Sequence, residues 1–205
     1  MTKKRSIGKS KRAKGTSRPQ QVHEIKITLK GSKPAIWRRV AVASDIPLNE
    51  LHKVIQIVMG WYNSHLHQFI TREQYWSDPQ FKLEDTENER KATLMELAPN
   101  VGDKLVYEYD FGDGWEHEIK VMKIEPADEN VDYPVCLAGK LACPPEDCGG
   151  IWGYYDMLDT IADAKHPEHE DMLEWLGDDF DPEKFDIDSI NVRLRNPDSH
   201  IMDTW

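Results

Sequence analysis

The chain has 205 residues, 39% of them hydrophobic and 31% charged, with a net charge of −11. That balance suits a folded domain with its own core and excludes a wholly disordered chain. No stretch approaches the roughly 18 apolar residues of a membrane span, the first residues lack the apolar run of a secretory signal, and three cysteines are an odd number for a disulfide framework, so a reducing, cytoplasmic protein with no membrane partner is expected.

Residues 1–20 hold Lys3, Lys4, Arg5, Lys9, Lys11, Arg12, Lys14 and Arg18 and no acid, so the rest of the chain is more acidic than the overall charge suggests. A Lys/Arg/Ser/Gly segment with almost no apolar residue cannot build a core and is expected to be a disordered basic tail. It suits nucleic acid as a partner through counterion release; the alternative is a solubilising leader. The expected organisation is this tail at 1–20, one folded domain at 21–196 and a C-terminal tail at 197–205.

Val22 to Lys30 alternates apolar and polar residues, which predicts a half-buried strand. Gly31-Ser32-Lys33-Pro34 predicts a turn and Ile36 to Val42 a second strand, so the two form a hairpin. Pro47 suits a first helical turn with Ser44 or Asp45 near the cap; Leu48, Leu51, Val54, Ile55 and Val58 then repeat at helical spacing until Gly60 stops the helix. His65 to Thr71 predicts a third strand, and the polar stretch 77–92 a loop. Lys104 to Phe111 and Trp115 to Glu125 predict two more strands. A Pro- and Cys-containing loop follows at 126–149, then helices at Tyr154 to Ala164 and Pro167 to Leu176, and short helical turns after Asp181 and Asp188. The fold class predicted is α+β: an antiparallel or mixed sheet of about five strands, one helix after the first hairpin and a C-terminal helical segment.

The segment "DFGDGWEHE", residues 110–118, packs carboxylates, a histidine and large aromatics together. A three-residue turn at Gly112-Asp113-Gly114 would set Tyr109 opposite His117 and Tyr107 opposite Ile119, giving one apolar face. The other face would set Glu108 opposite Glu118 and Asp110 opposite Glu116, like charges that need a cation, a basic side chain or water to offset them. His117 on the apolar face reads as a core histidine with a hydrogen-bond partner. The Asp-Phe-Gly string is no kinase signature, because the Gly-rich loop, strand lysine and H-R-D loop are absent.

"VCLAGKLACPPEDCGG", residues 135–150, spaces its thiols as Cys136, Cys143 and Cys148. Three thiols and a histidine make a tetrahedral zinc site, with His65, His67 or His117 as the fourth ligand; small buried thiols are the alternative. The cofactor is left unspecified, with a divalent metal as the candidate these patterns suggest.

"WRRVAV", "LHKVIQIVMGW", "HLHQF", "YEYDFGDGWEHEI", "YPVCLAGKLACPPEDCGG", "GYYDML" and "FDPEKFD" follow one another in this order. Together they resemble the plasmid pRiA open-reading-frame-three-like family, also called an insertion-element passenger protein family, over about residues 22–195. The resemblance implies an α+β domain often linked with mobile genetic elements, and it implies no activity. The basic tail lies outside it.

The leading expectation is a non-catalytic binding or accessory domain of that kind, whose surface combines Asp110, Asp113, Trp115, Glu116, His117, Glu146 and Asp147. One alternative is a metal-dependent hydrolase with its ion among Asp110, Asp113, Glu116, His117, Glu146 and Asp147, which requires the 110–118 and 143–150 segments to converge. The other is nucleic-acid binding through the basic tail. Nothing in the sequence specifies a reaction, and the reading leans away from an enzyme.

Overall fold

The computed structural model describes residues 19–72, 74–177 and 180–197. The expected basic contacts of Lys3 to Arg18 and the C-terminal tail beyond Pro197 lie outside these residues.

Strands β1 (Gln21–Leu29) and β2 (Trp37–Ala43) form the expected antiparallel hairpin, turning at Gly31 in the left-handed region, φ 81°. Alternation decides its faces: Ile25, Ile27, Leu29, Val40 and Val42 are buried, while Glu24, Lys26 and Thr28 look the other way. Helix α1 (Leu48–Met59) lays Leu48, Leu51, Ile55 and Val58 on the apolar face and ends where Gly60 adopts φ 89°. Its N-cap is Pro47, with no side-chain cap bond. Ser44, expected near the cap, holds the buried His23 instead, 2.8 Å from its Nδ1.

The chain continues with β3 (His67–Ile70), β4 (Tyr75–Ser77), β5 (Thr86–Asn88), the short helix α2 (Leu94–Leu97), β6 (Lys104–Tyr109), β7 (Trp115–Pro126), β8 (Val135–Lys140) and helices α3 (Gly150–Ala162), α4 (His169–Leu176) and α5 (Ile187–Leu194). The fold is α+β, and its mixed sheet has eight strands in the order β5-β4-β3-β6-β7-β1-β2-β8. Among the described residues, only β4 and β5 pair in parallel. The expectation of about five strands is therefore corrected. β4 and β5 have three residues each, too few to show a period, and they lie in or beside the stretch read as loop. β8 runs through the presumed Cys loop and pairs with β2. Among the described residues, no helix is long and apolar enough to cross a membrane.

The β6–β7 hairpin differs from the predicted register by two residues. Tyr109 pairs with Trp115, Tyr107 with His117 and Glu108 with Glu116. The cause is Asp110, which leaves the strand at φ 56° while its Oδ1 accepts the Gly112 N–H at 3.0 Å, so pairing stops at Tyr109. A shift of two preserves side-chain parity, so Leu105, Tyr107, Tyr109, Trp115, His117, Ile119 and Val121 still make one buried face. On the opposite face no metal is needed to offset the carboxylates. Lys30 pairs with Glu116, Lys104 with Glu118 at 2.7 Å, and Gln68 donates to Glu108 at 2.6 Å.

Candidate functional site

The hairpin tip at 110–114 and the loop 141–149 meet. The Asp113 carboxylate accepts the Gly149 N–H at 3.1 Å, and the Tyr109 hydroxyl donates to Glu146. Gly150, at φ 68°, lies so close to the Asp113 carbonyl oxygen that a Cβ there would collide with it. The Trp61 indole N–H donates to the Pro144 carbonyl at 2.9 Å, and the Ser64 N–H to the Tyr109 hydroxyl at 2.9 Å. Three segments distant in sequence are thus fastened into one corner. The convergence that a shared site demands is present.

At the corner, Asp110 and Asp147 both hold left-handed backbones, φ 56° and 61°. They flank one imidazole: His65 Nδ1 lies 3.6 Å from Asp110 Oδ2, and His65 Nε2 lies 3.2 Å from Asp147 Oδ1. One ligand atom from each of the three residues falls within 4.8 Å of the others, and among the described residues no other His, Cys, Asp or Glu group does so.

The remaining expected residues separate from this group. Trp115 and His117 are fully buried beneath the corner and form part of its platform, not of its surface. His117 packs at the edge of the Trp61 ring, centroids 5.2 Å apart, and burial pushes its imidazole down to about 3. Neither of its ring nitrogens makes a well-formed hydrogen bond, unlike the partnered core histidine expected; the backbone groups of Tyr107 and Trp115 are the polar atoms that face it. Glu116 points to the opposite sheet face and its Lys30 partner.

Among the described residues no cysteine belongs to a group with metal-ligand spacing, so the zinc site of Cys136, Cys143 and Cys148 is not formed. Cys136 is buried in β8. Cys143 takes a hydrogen bond from Arg38 Nη2 at 3.3 Å and contacts the Met59 sulfur at 3.5 Å. Cys148 lies 4.0 Å from the Gly150 carbonyl oxygen. Burial raises all three thiols, Cys148 to about 12 with help from the Asp113 charge, which opposes the thiolate that a metal needs.

His67 is equally remote. It is buried on β3, with Nε2 2.8 Å from Glu89 Oε2. Its ring stacks on His52 at 3.6 Å, the planes 6° apart. The Asn63 side-chain oxygen, 2.8 Å from His52 Nε2, can only accept, so Nε2 carries the proton; Nδ1 then accepts from the Tyr107 hydroxyl at 2.8 Å, which itself accepts from Gln56 at 2.9 Å. Burial raises the Glu89 carboxyl to about 7 and lowers the His67 imidazole to about 3. Sequence reading missed Glu89, Tyr109 and Asn63; an acid in a polar run carries no sign that it will be buried.

Beside the corner is a cleft of about 400 Å³ lined by Met59, Trp61, Tyr62, Pro144, Glu146 and Trp175, among others. Tyr62 and Trp175 remain 50% and 51% exposed.

The chain is similar to Uncharacterized protein y4hQ of Sinorhizobium fredii (strain NBRC 101917 / NGR234), 39% identical over 173 residues that cover 83% of this chain and 89% of that protein. It is also similar to a crystal structure of a protein of unknown function, MM3350 from Methanosarcina mazei Go1, at 40% identity and a TM-score of 0.74, covering 83% of this chain and 97% of that one. The sequence pattern of plasmid pRiA4b ORF-3-like proteins matches residues 21–189, nearly the whole of the sheet and helices described above, and the chain belongs to that family.

Proposed function

We propose that the protein is a non-catalytic binding domain whose recognition surface is the acidic corner together with the aromatic cleft beside it. The observation that carries this reading is the fastening of the hairpin tip to the 141–149 loop through Asp113–Gly149 and Tyr109–Glu146. A rigid platform then presents aromatic rings that packing leaves half exposed. Tyr and Trp at the lip of a pocket are the residue types that dominate binding energy at interfaces.

The occupant is a basic polypeptide segment with one apolar anchor. The cleft takes the anchor. Glu146 at its lip, within a strongly acidic chain, favours Lys or Arg beside that anchor. An accessory role beside mobile elements, which the family resemblance implies, is compatible with such a module. The raised thiols of Cys143 and Cys148 hold their neutral form, and His52, His67 and His117 are buried in the core, which favours recognition over catalysis by a thiolate.

A displayed random-peptide library tests this. Enrichment of sequences with an aromatic or aliphatic residue next to Lys or Arg is expected, and Trp175→Ala should weaken the best of them by at least about tenfold. No enrichment, or affinity indifferent to Trp175→Ala and Tyr62→Ala, would overturn the reading.

A further inference from the structure

We propose that His65, Asp110 and Asp147 form a binding site for a divalent transition-metal ion of the zinc or manganese type. Three observations converge on it.

The first is spacing. Metal–nitrogen and metal–oxygen bonds of about 2.0–2.2 Å place neighbouring ligand atoms about 3–4.5 Å apart in a tetrahedral or octahedral shell. The ligand atoms here all lie within 4.8 Å of one another, and His65 Nε2 is 3.2 Å from Asp147 Oδ1.

The second is the state of the imidazole. A neutral ring has one N–H, but carboxylates face both of its nitrogens. Nε2 lies 3.2 Å from the Asp147 oxygen. Nε2 is itself buried and makes no hydrogen bond in spite of that short distance. That oxygen therefore lies to the side of the nitrogen's lone-pair axis, the placement two atoms take when they bind one ion at bonds of about 2.0–2.2 Å.

The third is support from outside the three ligands. Asp110 Oδ1 is occupied by the Gly112 N–H, and Asp113 secures the loop that carries Asp147. The ligands are oriented by bonds of their own, as neighbours of metal ligands usually are.

One imidazole and two carboxylates select zinc or manganese over magnesium or calcium, which favour all-oxygen shells. Three protein ligands leave room for water or for a group from a partner. With the ion seated, the two aspartates are neutralised while Glu146 still faces the cleft. The site does not depend on the peptide-binding reading, and its test uses no partner.

The full chain, stripped with chelator and exchanged into metal-free buffer, is titrated calorimetrically with Zn²⁺ and Mn²⁺. About one equivalent is expected to bind. Asp147→Asn should weaken it by at least about tenfold; asparagine tolerates the left-handed backbone at this exposed position, so folding should survive. His65→Gln provides a second variant with the same expectation. Cys148→Ser should bind as the parent does. Absence of stoichiometric binding, binding unchanged in both Asp147→Asn and His65→Gln, or loss of binding in Cys148→Ser would each overturn the proposal.

Discussion

His65 and His67 are separated by a single leucine, yet they sit in opposite surroundings. His67 lies inside the sheet–helix core, stacked on His52 and joined to Glu89, and every group near it arrives from regular structure or its immediate flank. His65 sits in the loop before β3, a quarter exposed, and its carboxylate neighbours come from two loops at residues 110 and 147. The same side chain serves architecture in one place and presents its nitrogens to a candidate ligand in the other. What separates them is whether the surroundings exclude water: a polar group in the core must be satisfied by the protein, while one at a corner can be completed by an ion.

That contrast is open to direct attack. The largest effect is expected from His67→Ala, which leaves the Glu89 carboxyl buried without its partner and opens the imidazole stack. A stability loss of about 3–5 kcal/mol in urea denaturation is expected, against under about 1 kcal/mol for His65→Ala. Equal losses would erase the distinction. Gly150→Ala comes next. A methyl group aimed at the Asp113 carbonyl oxygen, on a backbone at positive φ, should cost about 2–3 kcal/mol and speed amide exchange at residues 111–114 as the two loops part.

The buried pair should also show itself in pH dependence. The Glu89 carboxyl is raised from 4.5 to about 7 in the folded protein. The folded state therefore holds its proton more tightly than the unfolded chain does. The resulting stabilisation is fully present below about pH 4.5 and is lost as pH rises through about 7. His67, His52 and His117 are lowered by burial and act in the opposite sense, their stabilisation fading as pH falls below about 6.5. Glu89→Gln removes the first contribution. The parent's advantage over Glu89→Gln should thus be greater at pH 5 than at pH 8, by about 2 kcal/mol, read from urea midpoints at the two values. The smallest effect belongs to the far face of the sheet: Lys104→Ala, which breaks an exposed pair with Glu118, should change stability by no more than about 0.5 kcal/mol.

Much of the sheet was legible in the sequence because its long strands alternate. β1, β6 and the first half of β7 carry a clear two-residue period, β2 is a short apolar run after a turn, and α1 carries a helical period up to Gly60. Three-residue β4 and β5 have no room for a period, and β8 is preceded by Pro134 and interrupted by Gly139, which read as loop signals. The hairpin register was off by two because an aspartate, not a glycine, made the first left-handed step of the turn. The meeting of residues 110–113 with 146–147 was assumed, because the shared surface and the metal-site alternative both required it. Its histidine was not: His65 was grouped with the thiols, and parity had already set Trp115 and His117 on the apolar face, where they could not also form the surface. Which loop residues meet is decided by the sheet order, and strand order is not written in any local pattern.

The sheet order bears on how the chain is made. β1, at residues 21–29, lies between β2 and β7, and β7 begins only at residue 115. A ribosome must therefore add nearly ninety further residues after β1 before that strand can acquire its second neighbour. Until then the β1–β2 hairpin and α1 emerge with an unpaired edge and an apolar face only partly covered, the condition in which nascent chains recruit chaperones or one another. The corner at His65 waits longer still, because Asp147 is translated after every strand of the sheet.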